Sequence, residues 1–222
     1  MSPTDVTVVL VHGAWADGSS WAKIIAPLAA EGFRVTAPSL PLTSFQEDVA
    51  ALDHALERVN GPVVLVGHAY GGAVVTAARG DKVKALVYVA AGAPDEGETV
   101  LDAFYRGQPP ELSPDAQGFI RLPDAAFAAA FAPDASASEQ AVLAAVQRPI
   151  STACITVKLA RPLWKDVPAW FLVAEQDRML PPENQLFMAE RMKARIRSAA
   201  TGHAPILTAP DAVLGLIREV TF

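Results

Sequence analysis

The amino-acid sequence predicts an α/β fold, in which a mostly parallel six-stranded sheet carries helices on both faces and a helical cap lies over one end. Three observations lead to this expectation. Apolar, β-rich runs recur along the chain and are separated by helical patterns, the arrangement of buried parallel strands joined by crossover helices. The alternation is interrupted once, between Pro94 and Pro168, by a segment rich in Pro, Phe and Ala. Finally, 222 residues at 51% hydrophobic and 19% charged content suit one compact domain with a sizeable core and are too apolar for a disordered chain. The expected organisation is a core formed by residues 1–93 and 166–222, with residues 94–165 inserted as the cap.

The strands are expected at Val6–Val11, Phe33–Ala37, Pro62–Val66, Ala85–Ala90, Ala169–Ala174 and, less apolar, Arg195–Ala199. Between them, Ser44–Val59 places Phe45, Val49, Leu52, Leu56 and Val59 at intervals of three and four, so one helix face is apolar. Ser44 followed by Glu47 gives that helix a capping box. Further helices are expected at Ser20–Glu31, Gly71–Arg79, Pro182–Lys193 and Asp211–Glu219. Within the insertion, Thr99–Arg106, Pro123–Phe131 and Ser136–Gln147 read as helices that cannot join the sheet. Because the insertion follows the fourth strand, and ligands of open α/β sheets bind beyond the carboxyl ends of strands, it is expected to cover a binding site.

Charge and cysteine content narrow the range of partners. With 18 basic and 24 acidic residues the net charge is −6, and no Lys/Arg cluster stands out, which disfavours nucleic acid and anionic membrane surfaces. The first apolar run ends after six residues at His12-Gly13 and reads as a buried strand rather than a signal peptide. No apolar segment approaches the ~18 residues of a membrane span. The single cysteine, Cys154, can form no internal disulfide and has no Cys/His neighbours at metal-ligand spacing. A cytoplasmic protein without metal or organic cofactor is expected, its oligomeric state left open.

The most specific local signal follows the third strand. Gly67-His68-Ala69-Tyr70-Gly71-Gly72 leads from strand to helix through a turn bracketed by glycines, the context of a nucleophile elbow with the pattern G-x-S-x-G. Ala69 stands at its centre. Small flanking residues are required there because strand and helix approach closely. A phosphate-binding turn is disfavoured, since the segment is neither G-x-G-x-x-G nor followed by the lysine of a P-loop.

With the segments VLVHGAWADGSSW, VVLVGHAYGG, LVYVAAGAPDEGE, WFLVAEQDRMLPP and TGHAP, which span Val9 to Pro205, the chain resembles the α/β-hydrolases. It is similar to small bacterial esterase-like members and, more distantly, to plant methyl esterases and hydroxynitrile lyases. The resemblance implies that the loop after the first strand gives a backbone N–H at Ala14 to an oxyanion hole, with the second from Tyr70, the residue after the elbow centre.

Four histidines allow a choice of base. His54 lies off the apolar stripe of its helix, whereas His12 and His68 belong to the loop motifs and are expected to orient backbone. His203, in a loop after the last strand, can swing an imidazole toward the elbow, and histidine suits general-base work near neutral pH. Asp177, after the strand Ala169–Ala174, lies where the family places the acid that orients the imidazole. Asp95, Glu96 and Glu175 compete with it.

The nucleophile is missing from this constellation. Ala69 has no lone pair with which to attack a carbonyl, so the chain as written is expected to be nearly inactive as a serine hydrolase. The intact surroundings favour a serine-to-alanine replacement in an esterase over a natural pseudoenzyme that binds a small apolar ligand. A lyase, amidase or lactonase of the same fold is the further alternative, with the lyase disfavoured because Ala204 stands where hydroxynitrile lyases carry lysine. Trp15, Phe104, Tyr105, Phe127, Phe131 and Trp164 are the expected pocket walls, and a small, mostly apolar ester is the expected substrate.

Overall fold

The computed structural model describes residues 5–106 and 112–221. Eight strands appear in chain order: β1 (Thr7–Val11), β2 (Arg34–Thr36), β3 (Val63–His68), β4 (Val83–Val89), β5 (Phe119–Ile120), β6 (Ile150–Ser151), β7 (Ala169–Ala174) and β8 (Arg195–Ala199). Six of them form one sheet in the order β2-β1-β3-β4-β7-β8, and every pairing in it is parallel. The six strands read from sequence are these six, with ends displaced by a few residues. The helices are α1 (Ala22–Ala30), α2 (Phe45–Glu57), α3 (Tyr70–Thr76), α4 (Val100–Tyr105), α5 (Asp124–Ala126), α6 (Ala137–Val146), α7 (Pro182–Arg191), α8 (Pro205–Thr208) and α9 (Pro210–Thr221).

Side-chain alternation along the central strands sorts the core into two layers. Val9, Val11 and Leu65 face one layer, which holds Leu52 and Leu56 of α2, Val74 of α3 and Met188 of α7. Val8, Leu10, Val64 and Val66 face the other, against Ile24 and Leu28 of α1 and Val213, Leu214 and Ile217 of α9. Both faces of the sheet are thereby covered at its centre, which is why β1, β3, β4 and β7 are mostly apolar rather than alternating, while the edge strands β2 and β8 keep exposed polar residues.

The segment between Pro94 and Pro168 departs from the helical expectation in two ways. The stretch expected as one helix over Pro123–Phe131 is the single turn α5 followed by a π-type turn, Phe127–Phe131, closed by the Ala132 N–H donating to the Phe127 carbonyl at 2.8 Å. Pro133, which lacks an N–H, follows and cannot extend it. In addition, β5 and β6 pair antiparallel through only two residues each, too short to leave a periodic signature. Ile120, Ile150, Cys154 and Ile155 from this segment belong to the same apolar layer as α2 and α3, so its packing is continuous with the sheet core.

Among the described residues no helix is long and apolar enough to cross a membrane. No cluster of three or more His, Cys, Asp or Glu suited to a metal ion is found among them either.

Candidate active site

The turn after β3 is shaped by contacts that leave no room for side chains. A Cβ at Gly67 would lie 2.7 Å from the Gly71 carbonyl oxygen, and one at Gly71 would meet the carbonyl oxygens of Val11 and His12. Ala69, between them, has φ 50° and ψ −120°, a conformation that costs a non-glycine residue about 1–3 kcal/mol. Its carbonyl is held by the N–H groups of Gly72 and Gly92 at 3.1 and 3.0 Å. The methyl of Ala69 therefore projects from the end of β3 in a fixed direction.

That direction is a cavity of about 80 Å³, nearly all apolar. Ala14, Trp15, Ala69, Tyr70, Phe104, Tyr105, Phe131 and His203 all line it, and Ile120, Ile150, Ile155 and Met179 add walls that the sequence did not single out. Two expected wall residues lie elsewhere. Phe127 is fully buried in a separate cluster with Phe131, Ala132 and Ala204. Trp164 packs at the far end of the insertion, where its indole N–H donates to the Pro94 carbonyl at 3.2 Å and Arg191 and Lys165 lie over its ring. Trp15 and Phe131 also wall a second, larger cavity of about 330 Å³, which reaches Leu143 of α6 and Leu207 of α8. Trp15, itself at φ 58°, ties the β1 loop to β5 through its indole N–H, which donates to the Ile120 carbonyl at 3.0 Å.

His203 and Asp177 meet inside the protein, at 2% and 6% residue exposure, with 2.8 Å between Nδ1 and Oδ2. A carboxylate there fixes the hydrogen on Nδ1, so Nε2 carries the lone pair and is the ring nitrogen left to the cavity. Among the described residues no group donates to that nitrogen. Asp177 accepts further hydrogen bonds from the N–H groups of Met179 and Leu180 and from the Gln185 amide, at 2.8 to 2.9 Å. Gln185 is fully buried on α7 and also takes the Ala174 N–H at 3.0 Å, so it anchors the carboxylate to the end of β7. No sequence signal marked it, since it lies inside an expected helix and its partners, Asp177 apart, are backbone groups. The competitors are elsewhere: Asp95 pairs with Lys165 at 2.6 Å, Glu96 lies near the same lysine at 3.8 Å, and Glu175 is exposed.

The two remaining motif histidines act as struts. The Leu40 N–H donates to His12 Nε2 at 2.9 Å, which leaves Nδ1–H to donate to the Gly13 carbonyl at 2.8 Å. His68 Nε2–H donates to the His203 carbonyl at 2.7 Å and so ties the elbow strand to the histidine loop. Burial depresses both, His12 to about 4 and His68 to about 3, so both are neutral near pH 7. His54 is exposed on α2, beside Glu57.

Backbone donors complete the cavity. The N–H groups of Ala14 and Tyr70 belong to residues that line it, and among the described residues neither finds an acceptor. Beneath Tyr70 lies a buried polar cluster that the sequence reading missed. The Tyr70 hydroxyl donates to Asp48 Oδ2 at 2.6 Å, the Leu42 N–H to Oδ1 at 2.7 Å, and the Cys154 thiol to Oδ2 at 3.5 Å. Burial raises the Asp48 carboxyl above the usual carboxylate range, and burial with the Asp48 charge raises Tyr70 and pushes Cys154 up to about 12.

A parallel sheet with a strained strand–turn–helix, an Asp-anchored imidazole and, among the described residues, unpaired backbone N–H groups at one apolar cavity matches the hydrolase class of α/β proteins. The chain belongs to the alpha/beta hydrolase family, whose profile matches residues 8–216. Among its relatives is the carbendazim hydrolyzing esterase of Nocardioides sp., 33% identical over 122 residues, a match covering 47% of this chain and half of that relative's length. Another is the alpha/beta hydrolase nvfD of Aspergillus novofumigatus, 27% identical over 239 residues and matched over 96% of this chain and 95% of the relative. The fold is also that of a methylesterase from Arabidopsis, with a TM-score of 0.81 at 20% identity over 98% of this chain and 99% of the other.

Proposed function

We propose that the chain is a carboxylesterase-type serine hydrolase in a form that lacks its nucleophile, so that it holds a small apolar ester without cleaving it. The carrying observation is that Ala14, Ala69, Tyr70 and His203 all line one apolar cavity, and that among the described residues His203 Nε2 and the N–H groups of Ala14 and Tyr70 have no partner. In this reading residues 94–165 are the cap, and they contribute Phe104, Ile120 and Phe131 to the walls. The esterase names of relatives support an ester as substrate. A cavity of about 80 Å³ is roughly half the ~150 Å³ that holds benzene, which suits a short acyl group of about two to four carbons.

In this reading the reaction needs only a serine at position 69. The hydroxyl attacks the ester carbonyl as His203 Nε2 takes its proton, and the carbonyl oxygen, now anionic, is held by the two N–H groups. Asp177 stabilises the imidazolium, which then protonates the leaving alcohol. Water activated by the same nitrogen hydrolyses the acyl-enzyme. The test is turnover of p-nitrophenyl acetate and butyrate by Ala69→Ser. Loss of a serine nucleophile costs on the order of 10⁶ in kcat in a comparable triad, so restoration is expected to raise turnover by several orders of magnitude over the parent chain. A folded Ala69→Ser protein with no more turnover than the parent would favour a binding protein instead.

A further inference from the structure

The chain as it stands has lost a nucleophile but not a base. In a serine hydrolase the imidazole lone pair is occupied by the serine hydroxyl. Here the neighbouring side chain is a methyl, and His203 Nε2 faces the cavity with no donor on it among the described residues. The imidazole is buried, its tautomer is fixed by Asp177, and Asp177 is itself fixed by three further donors. Ala14 and Tyr70 line the same cavity, and among the described residues their backbone N–H groups find no acceptor. A desolvated base and a preorganised site for a developing oxyanion are the two requirements for removing a proton from carbon next to a carbonyl.

We propose that the unmodified protein reversibly abstracts the α-proton of a small, apolar carbonyl compound, with His203 as the base and the Ala14 and Tyr70 N–H groups holding the enolate oxygen. This inference rests on the placement of those groups given under the proposed function and adds an activity that needs no nucleophile. The step is balanced. Nε2 takes the α-proton, the C–H electron pair becomes the C=C bond of the enolate, and the carbonyl π pair moves onto oxygen, where the two N–H groups receive it. Asp177 offsets the charge of the imidazolium. After exchange of the Nε2 proton with solvent, the same nitrogen returns a proton to carbon and restores the carbonyl compound. No oxidant, metal or co-reactant enters. Tyr105 also lines the cavity, but burial, with the nearby Asp177 charge, raises its hydroxyl above the usual tyrosine range, so it is protonated and no competing base.

The volume of the cavity sets the probe. Butanone, with five heavy atoms, suits about 80 Å³ better than an aryl ketone does. Its α-hydrogens are followed by proton NMR in D₂O at neutral pH, with the unmodified protein, with His203→Gln, with Ala69→Ser, and with free imidazole at the same concentration. The expected result is deuterium incorporation by the unmodified protein about 10²-fold faster than with free imidazole, the lower end of what a positioned general base contributes. Exchange should fall to the imidazole level or below in His203→Gln. In Ala69→Ser it should fall at least several-fold, because the new hydroxyl engages Nε2. The Ala69→Ser arm keeps the test independent of any folding defect in His203→Gln. Exchange by the unmodified protein no faster than by free imidazole, or unchanged in both variants, overturns the proposal. Ester turnover by Ala69→Ser is read separately, so hydrolysis without exchange rejects this inference alone, while absence of both rejects the shared site.

Discussion

Ala69 holds a backbone conformation, φ 50° with ψ −120°, that suits glycine better than any residue with a Cβ. Replacing it by glycine relieves about 1–3 kcal/mol of strain and adds about 0.5–1 kcal/mol of unfolded-state entropy. Ala69→Gly is therefore expected to raise stability by about 1 kcal/mol in urea unfolding, and a lowered midpoint would show that the turn is unstrained. Asp48 presents the opposite case, a buried carboxylate that only accepts, facing three donors. Asp48→Asn sets an amide N–H against one of those donors and is expected to cost about 1–3 kcal/mol. An unchanged unfolding midpoint would remove Asp48 as the support of Tyr70. The elbow glycines could be read from sequence because they bracket one strand–turn–helix, although only Gly67 has a local cause, the Gly71 carbonyl, whereas Gly71 is crowded by the carbonyls of Val11 and His12. Asp48 could not, because its partners Tyr70 and Cys154 lie 22 and 106 residues away in the chain.

At the level of elements, the four central strands β1, β3, β4 and β7 were readable because both of their faces are buried, which leaves near-continuous apolar runs in the sequence, whereas the edge strands β2 and β8 are partly exposed and carry a weaker signal. The insertion was readable only as an interruption. Phe127 and Phe131 looked equivalent as wall residues of one helix, yet within the cluster they share the π-type turn buries the first away from the cavity of about 80 Å³ and sets the second between two cavities. Phe131 thereby separates a space of about 80 Å³ from one of about 330 Å³. Truncating it to alanine is expected to cost about 3–5 kcal/mol of stability and to join the two. In the Ala69→Ser background, Phe131→Ala should raise the rate on p-nitrophenyl octanoate relative to acetate about tenfold. An unchanged ratio, measured on folded protein, would mean that Phe131 does not limit chain length.

For the whole molecule, the buried neutral histidines couple the fold to pH. His12 and His68 are depressed from histidine's ordinary 6.5 to about 4 and about 3, so below pH 6.5 the unfolded chain binds protons that the folded chain refuses. Their contribution is complete above about pH 6.5 and is lost as the pH falls toward 4, each by an amount on the order of 3 kcal/mol. Urea unfolding at pH 8, 6 and 5 should show this decline, and equal stability at pH 8 and pH 5 would contradict it. The same burial makes His68 a strut between the elbow strand and the loop of His203, so the architecture that aligns the site is also its acid-sensitive part. The central claim, a hydrolase site complete except for one oxygen atom, is tested most directly by reacting Ala69→Ser and the unmodified chain with a fluorophosphonate and mapping the adduct by mass spectrometry. Stoichiometric labelling at position 69 in the variant, abolished by His203→Gln and absent from the unmodified chain, is the predicted result. A folded variant that takes no label at position 69 would contradict the account.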